Sequence, residues 1–201
     1  MAQLASIPEL LADRRVWHAG QHPVPAQTGE GTGFAALDAV LPQGGWPRNA
    51  LTELLLPGDG VGELSLLAPL VARVTQAGGE VALVAPPYVP YAPAWQAMGV
   101  NLKHLHVIEA DARHALWAFE QTLRSGCCQM VVGWPQAADM ASLRRLQVAA
   151  DSGTCMGFAL RDRKHVQNPS PAALRLECVG AHAWQVRKCK GAAVPQAVVR
   201  C

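Results

Sequence analysis

Residues 54–67 read LLLPGDGVGELSLL. A short apolar run gives way to a turn with glycines at 58, 60 and 62, and then to leucines spaced for the buried face of a helix. This is a β-strand feeding an α-helix through a permissive loop. In an α/β sheet the turn after the first strand is where phosphate is held, by backbone N–H groups at a helix N-terminus. The spacing from Pro57 to Gly62 matches the two glycine positions of G-x-x-x-x-G-K-[ST]. The chemistry does not follow, because Glu63 stands where the lysine should be and Leu64 where the Mg²⁺-binding hydroxyl should be. Asp59 adds a second carboxylate. At a few Å, each would repel a polyanion by about 1 to 4 kcal/mol, depending on the local dielectric. The segment Pro57, Gly58, Asp59, Gly60, Gly62, Glu63, Leu64 therefore reads as a degenerate phosphate loop. It also reads as a plain glycine-rich turn whose acidic residues favour the start of a helix.

Outward from this loop, apolar runs alternate with amphipathic ones, which predicts βα units around a mostly parallel sheet flanked by helices. Strands are predicted at 50–56, 80–85, 105–108, 129–133 and 155–160. Helices are predicted at 62–76, 92–98, 112–125 and 139–151, the last capped by Asp139. Pro86 and Pro87 end the second strand by removing two backbone donors in succession. Residues 173–179 and 183–188, joined through Gly180, predict an antiparallel pair on the sheet edge. Ahead of the core, residues 7–18 space Leu10, Leu11 and Trp17 for an amphipathic helical arm, and a Pro- and Gly-rich linker follows. The chain divides into an N-terminal helix and linker (1–27), an α/β core (28–191) and a short tail (192–201).

The composition suits such a domain: 201 residues, half of them hydrophobic, 16% charged, with a formal net charge of +2. There is enough apolar surface for a core and too little net charge to capture nucleic acid non-specifically. No apolar run approaches the roughly 18 residues that span a bilayer, so a soluble, cytoplasmic protein without membrane contact is expected. Six cysteines without a C-x-x-C frame fit free thiols in a reducing compartment. Cys178, His182 and Cys189 lack a recognised metal spacing, and no catalytic triad is evident, so neither a metal nor a cofactor is expected.

The stretch TGFAALDAVLPQGGWPRNALTELLLPGDGVGELSLLAPLVARVTQAGGEVALVA resembles the opening of the RecA ATPase core. The resemblance continues through AWQAMGVNLKHLHVIEADARHALWAFEQTLRSGCCQMVVGW to ALRLECVGAHAWQVRKCKG, spanning residues 28–191. It lies in the order of elements more than in one motif. It implies a RecA-like core with an N-terminal helical arm and antiparallel C-terminal strands. The family's catalytic glutamate falls on Pro86 or Pro87, and its Walker B aspartate on Gly133 or Trp134. With Glu63 and Leu64, every nucleotide-handling position is replaced, which implies a protein that is not an enzyme.

A small nucleotide-free relative of RecA is what the ImuA family looks like, and the division inhibitor SulA belongs to the same broader group. The arm ending in VWHAG, the LPQGGWPRNALTELL segment and the basic QVRKCKG carry the likeness to ImuA. The resemblance implies an adaptor or regulator in SOS-induced translesion DNA synthesis, nucleoid-associated when DNA is damaged. Its partners would be RecA, an ImuB-like inactive polymerase and, indirectly, an error-prone replicative-type DNA polymerase. Two other readings stay open: a SulA-like inhibitor of the tubulin-like division protein, and a DNA-dependent ATPase with a displaced phosphate site.

Candidate contact residues remain. Arg161, Arg163 and Lys164, with His165, form a basic stretch at the position of a RecA DNA loop, which gives weak DNA contact or a solvated loop. Arg187, Lys188, Lys190 and Arg200 form a second basic cluster ahead of and within a tail too polar to join the core, suited to partner binding. The arm (Leu10, Leu11, Trp17) either packs on its own domain, meets a partner or joins copies of the chain. Trp95, Trp117 and Trp184 are expected in the core, and Trp134 with Pro86 and Pro87 is expected to fill the vacated nucleotide pocket.

Overall fold

The computed structural model describes residues 29–201, so the predicted arm with Leu10, Leu11 and Trp17 lies outside the described residues. The run LTELLL forms β1 (Leu51–Leu56), all six residues buried. A strand covered on both faces needs such a run, because neither side meets water. β1 pairs in parallel with β5 (Met156–Asp162) on one side and β6 (Leu174–Gly180) on the other. The other strands are β2 (Val81–Val84), β3 (Leu105–Ile108), β4 (Met130–Gly133), β7 (Ala183–Cys189) and β8 (Val198–Arg200). The eight-stranded sheet runs β3-β2-β4-β5-β1-β6-β7-β8. Only β7 opposes the common direction, pairing antiparallel with both β6 and β8.

Among the described residues five α-helices accompany the sheet: α1 (Ala35–Asp38), α2 (Glu63–Gln76), α3 (Ala92–Ala97), α4 (Ala115–Ser125) and α5 (Met140–Ser152). α1, α2 and α3 close one face, where Leu66, Leu67, Leu70 and Trp95 pack with Trp46, Phe158 and Trp184. Trp46 meets Phe158 edge to face at 5.2 Å between ring centroids, a favoured aromatic geometry. α4 and α5 close the other face through Phe119, Leu123, Leu143 and Leu146. As the sequence predicts, Asp139 caps α5: its Oδ1 accepts the Ser142 N–H at 2.8 Å. That hydrogen bond holds the Asp139 carboxyl below its ordinary value.

Several expectations are corrected. The segment after residue 191 is not too polar to join the core. It supplies β8, Val199 is buried, and the Cys201 N–H donates to the His182 carbonyl. The antiparallel pairing expected at this edge of the sheet is present, and β8 extends it by one further strand. Trp95 and Trp184 are buried as expected, whereas Trp117 is 63% exposed on the outer side of α4.

Candidate functional site

At the C-terminal end of β1 the chain turns through residues 57–62 into α2. Gly60 and Gly62 have φ of +73° and +97°, left-handed values that explain glycine at these positions. Glu63, the first residue of α2, is only 6% exposed. Its side chain folds back under the loop, and Oε1 accepts the Gly60 N–H at 3.1 Å. A carboxylate from the protein itself thus takes a backbone donor at a helix N-terminus, the kind of group a phosphate would use. The second oxygen, Oε2, is buried and has no hydrogen-bond partner among the described residues. The ring of His182, from the β6–β7 turn, packs 3.3 Å from where a side chain at Gly62 would begin. Leu64, in the hydroxyl position, packs against the apolar core. Burial raises the neighbouring Cys178 thiol, and the Glu63 charge adds to the effect.

The other two altered positions have distinct structural reasons. A Cβ at Gly133 would lie 2.8 to 3.0 Å from three ring atoms of Phe119, so the end of β4 has no room for an aspartate. After β2 the backbone turns sharply, with Ala85 at φ +47°, and continues into Pro86 and Pro87. Trp134 does not fill the space in front of the loop, and that expectation is corrected. Trp134 and Pro87 instead line a cleft of about 650 Å³, walled by Leu56, Pro57, Ala85 and Leu116. Asp59, Arg113 and Asp162 bring charge to it.

Some of the basic residues are engaged inside the fold. Arg161 is not a loop residue free to touch DNA, because it ends up buried beside the fully buried Glu53 of β1. Arg161 Nη1 donates to Glu53 Oε1 at 2.7 Å, and its Nη2 donates to the Ala138 carbonyl at 2.6 Å. Arg175 on β6 approaches the same carboxylate from the other side, Nε to Oε2 at 2.7 Å. This second contact is an ion pair without hydrogen-bond alignment. Arg175 also donates to the carbonyls of His165, Val166 and Asn168. The 163–170 loop is therefore fastened over the sheet, and Lys188 adds a bond to the Ser170 carbonyl at 2.5 Å. Arg187 pairs with Glu177 at 2.5 Å. Arg163, Lys164, Lys190 and Arg200 remain exposed, with Lys164 beside Asp162 at 3.3 Å. Of the two basic clusters in sequence, Arg161 joins a buried charge network, Lys188 ties down the 163–170 loop, and Arg163, Lys164, Arg187, Lys190 and Arg200 are exposed.

Sequence reasoning missed the Glu53–Arg161–Arg175 network. The available signal was one carboxylate inside an otherwise apolar buried strand, which must find a partner. Among the described residues, no three His, Cys, Asp or Glu side chains are arranged to hold a metal ion. No described helix is long and apolar enough to cross a membrane.

These features define a mixed α/β protein of RecA-like architecture in which the loop after β1 is held by the carboxylate of Glu63. No family model matches the chain. Among curated proteins it is similar to RecA of Deinococcus radiodurans, 35% identical over 102 residues, covering 50% of this chain and 28% of that protein. It is likewise similar to RecA of Streptomyces avermitilis, 30% identical over 132 residues, covering 65% of this chain and 35% of that one. The match to RecA of Anaplasma marginale is longer, 26% identical over 171 residues, covering 83% of this chain and 46% of the relative. The chain thus spans less than half the length of these relatives. Among solved structures, SulA from Pseudomonas aeruginosa aligns with a TM-score of 0.47 at 26% identity, covering 55% of this chain and 96% of that one.

Proposed function

We propose that this chain is a RecA-like protein without nucleotide chemistry that serves as an adaptor or regulator in SOS-induced translesion DNA synthesis, binding RecA and a polymerase-like partner. The observation that carries this reading is Glu63. Its carboxylate sits inside the loop that would cradle phosphate, so a nucleotide would have to displace a buried charge and then face it. Gly133 supports the same reading, because packing against Phe119 leaves no space for a metal-binding acid at the end of β4. The engagement of Arg161, Arg175 and Lys188 within the fold weakens the case for a DNA-gripping surface and favours protein contacts. The sequence similarity to RecA, with the ImuA-like segments around residues 41–55 and 185–191, supports placing the protein beside RecA in the damage response.

Calorimetric titration of the full chain with RecA assembled on single-stranded DNA tests the proposal. Saturable binding in the micromolar range or tighter is expected. Absence of binding to both free and assembled RecA would remove the adaptor reading.

A further inference from the structure

The cleft in front of the loop lies at the C-terminal ends of β1, β2, β4 and β5, bordered by the segments that lead into α4 and α5. Open α/β sheets bind ligands at this end of their strands. Its volume of about 650 Å³ is that of a small-molecule site. Six buried side-chain nitrogen or oxygen atoms lack a hydrogen-bond partner among the described residues, and of the residues that carry them Arg161 alone lines this cleft. Arg161 is 3% exposed. Its Nη1 donates to Glu53 and its Nη2 to the Ala138 carbonyl, while Nε donates to nothing. Ala138 lines the cleft too, so this edge of the guanidinium stands in the wall. Native structures rarely leave a buried donor unpaired without a use for it.

The charges define what the donor can take. Glu53 sets one carboxylate against two guanidinium groups, those of Arg161 and Arg175, all three buried. The network therefore holds one positive charge in excess. Burial, and after it the Arg161 charge, keeps the nearby His165 imidazole below its ordinary value. The exposed Arg113 adds a cation at the mouth, just ahead of α4. Asp111 Oδ1 accepts the backbone N–H groups of Arg113 and His114. Those of Leu116 and Trp117, in the first turn of α4, reach no other backbone group among the described residues, which is the positive end of a helix. Of the two acids in the lining, Asp162 is paired with Lys164 and Asp59 remains. One positive charge is left over, which matches a monoanion, whereas a phosphate dianion would bring surplus charge against Asp59. A carboxylate is the planar acceptor that suits a guanidinium edge. Around these groups the walls are apolar, with Leu56, Pro57, Pro87 and Leu116, and the half-buried Trp134 supplies an aromatic ring.

We propose that this cleft binds a small aromatic monocarboxylate, its carboxylate held by Arg161 Nε and Arg113 beside the start of α4 and its ring packed against Trp134 and Pro87. The site is independent of the adaptor function proposed above. A neutral ring would satisfy the walls and leave Arg161 Nε unpaired. A small anion without a ring would pair that donor and leave the apolar walls wet. The two halves of the site act together in one ligand, and the cleft has the volume to take it whole.

Isothermal titration of the full chain with naphthoate at neutral pH tests this. One site per chain is expected, with Kd on the order of 0.1 to 1 mM for a ligand of this size. Naphthamide keeps the ring without the charge, and naphthyl phosphate adds a second charge; each should bind at least about tenfold more weakly. Arg113→Gln and Trp134→Ala should each weaken naphthoate binding at least about fivefold with an unchanged circular dichroism spectrum. Arg48→Gln, in a cleft at the opposite end of the sheet, should bind as the wild type does. Arg161→Lys keeps the charge and removes Nε, and should abolish binding; if its circular dichroism shows that it does not fold, the Arg113 and Trp134 variants decide. No saturable heat up to about 5 mM naphthoate overturns the proposal. Equal affinity for the acid and the amide, or binding indifferent to both Arg113→Gln and Trp134→Ala, overturns it equally.

Discussion

Glu53→Ala is expected to cost about 3 to 5 kcal/mol of folding stability, because it strands two guanidinium groups inside the protein. Arg161 and Arg175 are both buried, and each lies 2.7 Å from a Glu53 oxygen. With the carboxylate gone, both are left buried without their counter-ion. The carbonyls of Ala138, His165, Val166 and Asn168 accept hydrogen bonds but do not neutralise two positive charges. A loss of that size is a large part of the roughly 5 to 15 kcal/mol that holds a domain together. Urea unfolding followed by circular dichroism gives the value, with the midpoint shifting and the slope unchanged if the native state stays compact. Replacing all three residues by apolar ones of similar volume should be much milder, since the desolvation of three charges then disappears with their attraction. A loss below about 1 kcal/mol for Glu53→Ala would mean that the network is not holding the centre of the sheet.

Gly133→Asp, which returns an acid to the end of β4, is the second large effect. The new Cβ would sit 2.8 Å from the Phe119 ring, and overpacking of this kind costs about 1 to 3 kcal/mol. The carboxylate beyond it would enter a strand end that is buried and would add a desolvation penalty. A total of at least about 3 kcal/mol is expected by chemical denaturation. Gly133→Ala isolates the steric part, and the difference between the two variants is the contribution of the charge. If Gly133→Asp were as stable as wild type, Phe119 would be free to move aside and the loss of the acid would have no structural cause.

Much of the architecture was legible because it rests on local patterns. The strands β1 to β7 and the helices α2 to α5 fall within a few residues of the positions that apolar runs and periodicity predict. Asp139 was readable as a cap because its chemistry acts three residues away. The unusual chemistry at Glu63 and Leu64 stood out because a phosphate loop has fixed spacing. The network around Glu53 was not, since it depends on the register of β1 against β5 and β6, which joins residues 53, 161 and 175 across more than a hundred positions. Arg161 looked like the start of a basic loop because nothing local marks it as the last inward residue of a strand. β8 has three residues, too few for alternation to stand out, and so passed for a tail. Trp117 was misjudged by size, although two positions from Phe119 is about 200° around a helix and points outward. The folding of Glu63 into its own loop was half visible: the sign of its charge was plain, its use as the loop's occupant was not.

In the proposed function this RecA-like chain does not use nucleotide, because Glu63 holds the loop in place of phosphate. Isothermal titration of the full chain with ATP and Mg²⁺ should show no saturable heat up to about 1 mM nucleotide, a Kd equivalent to about 4 kcal/mol or less. Saturable binding in the low micromolar range, with one nucleotide per chain, would contradict it.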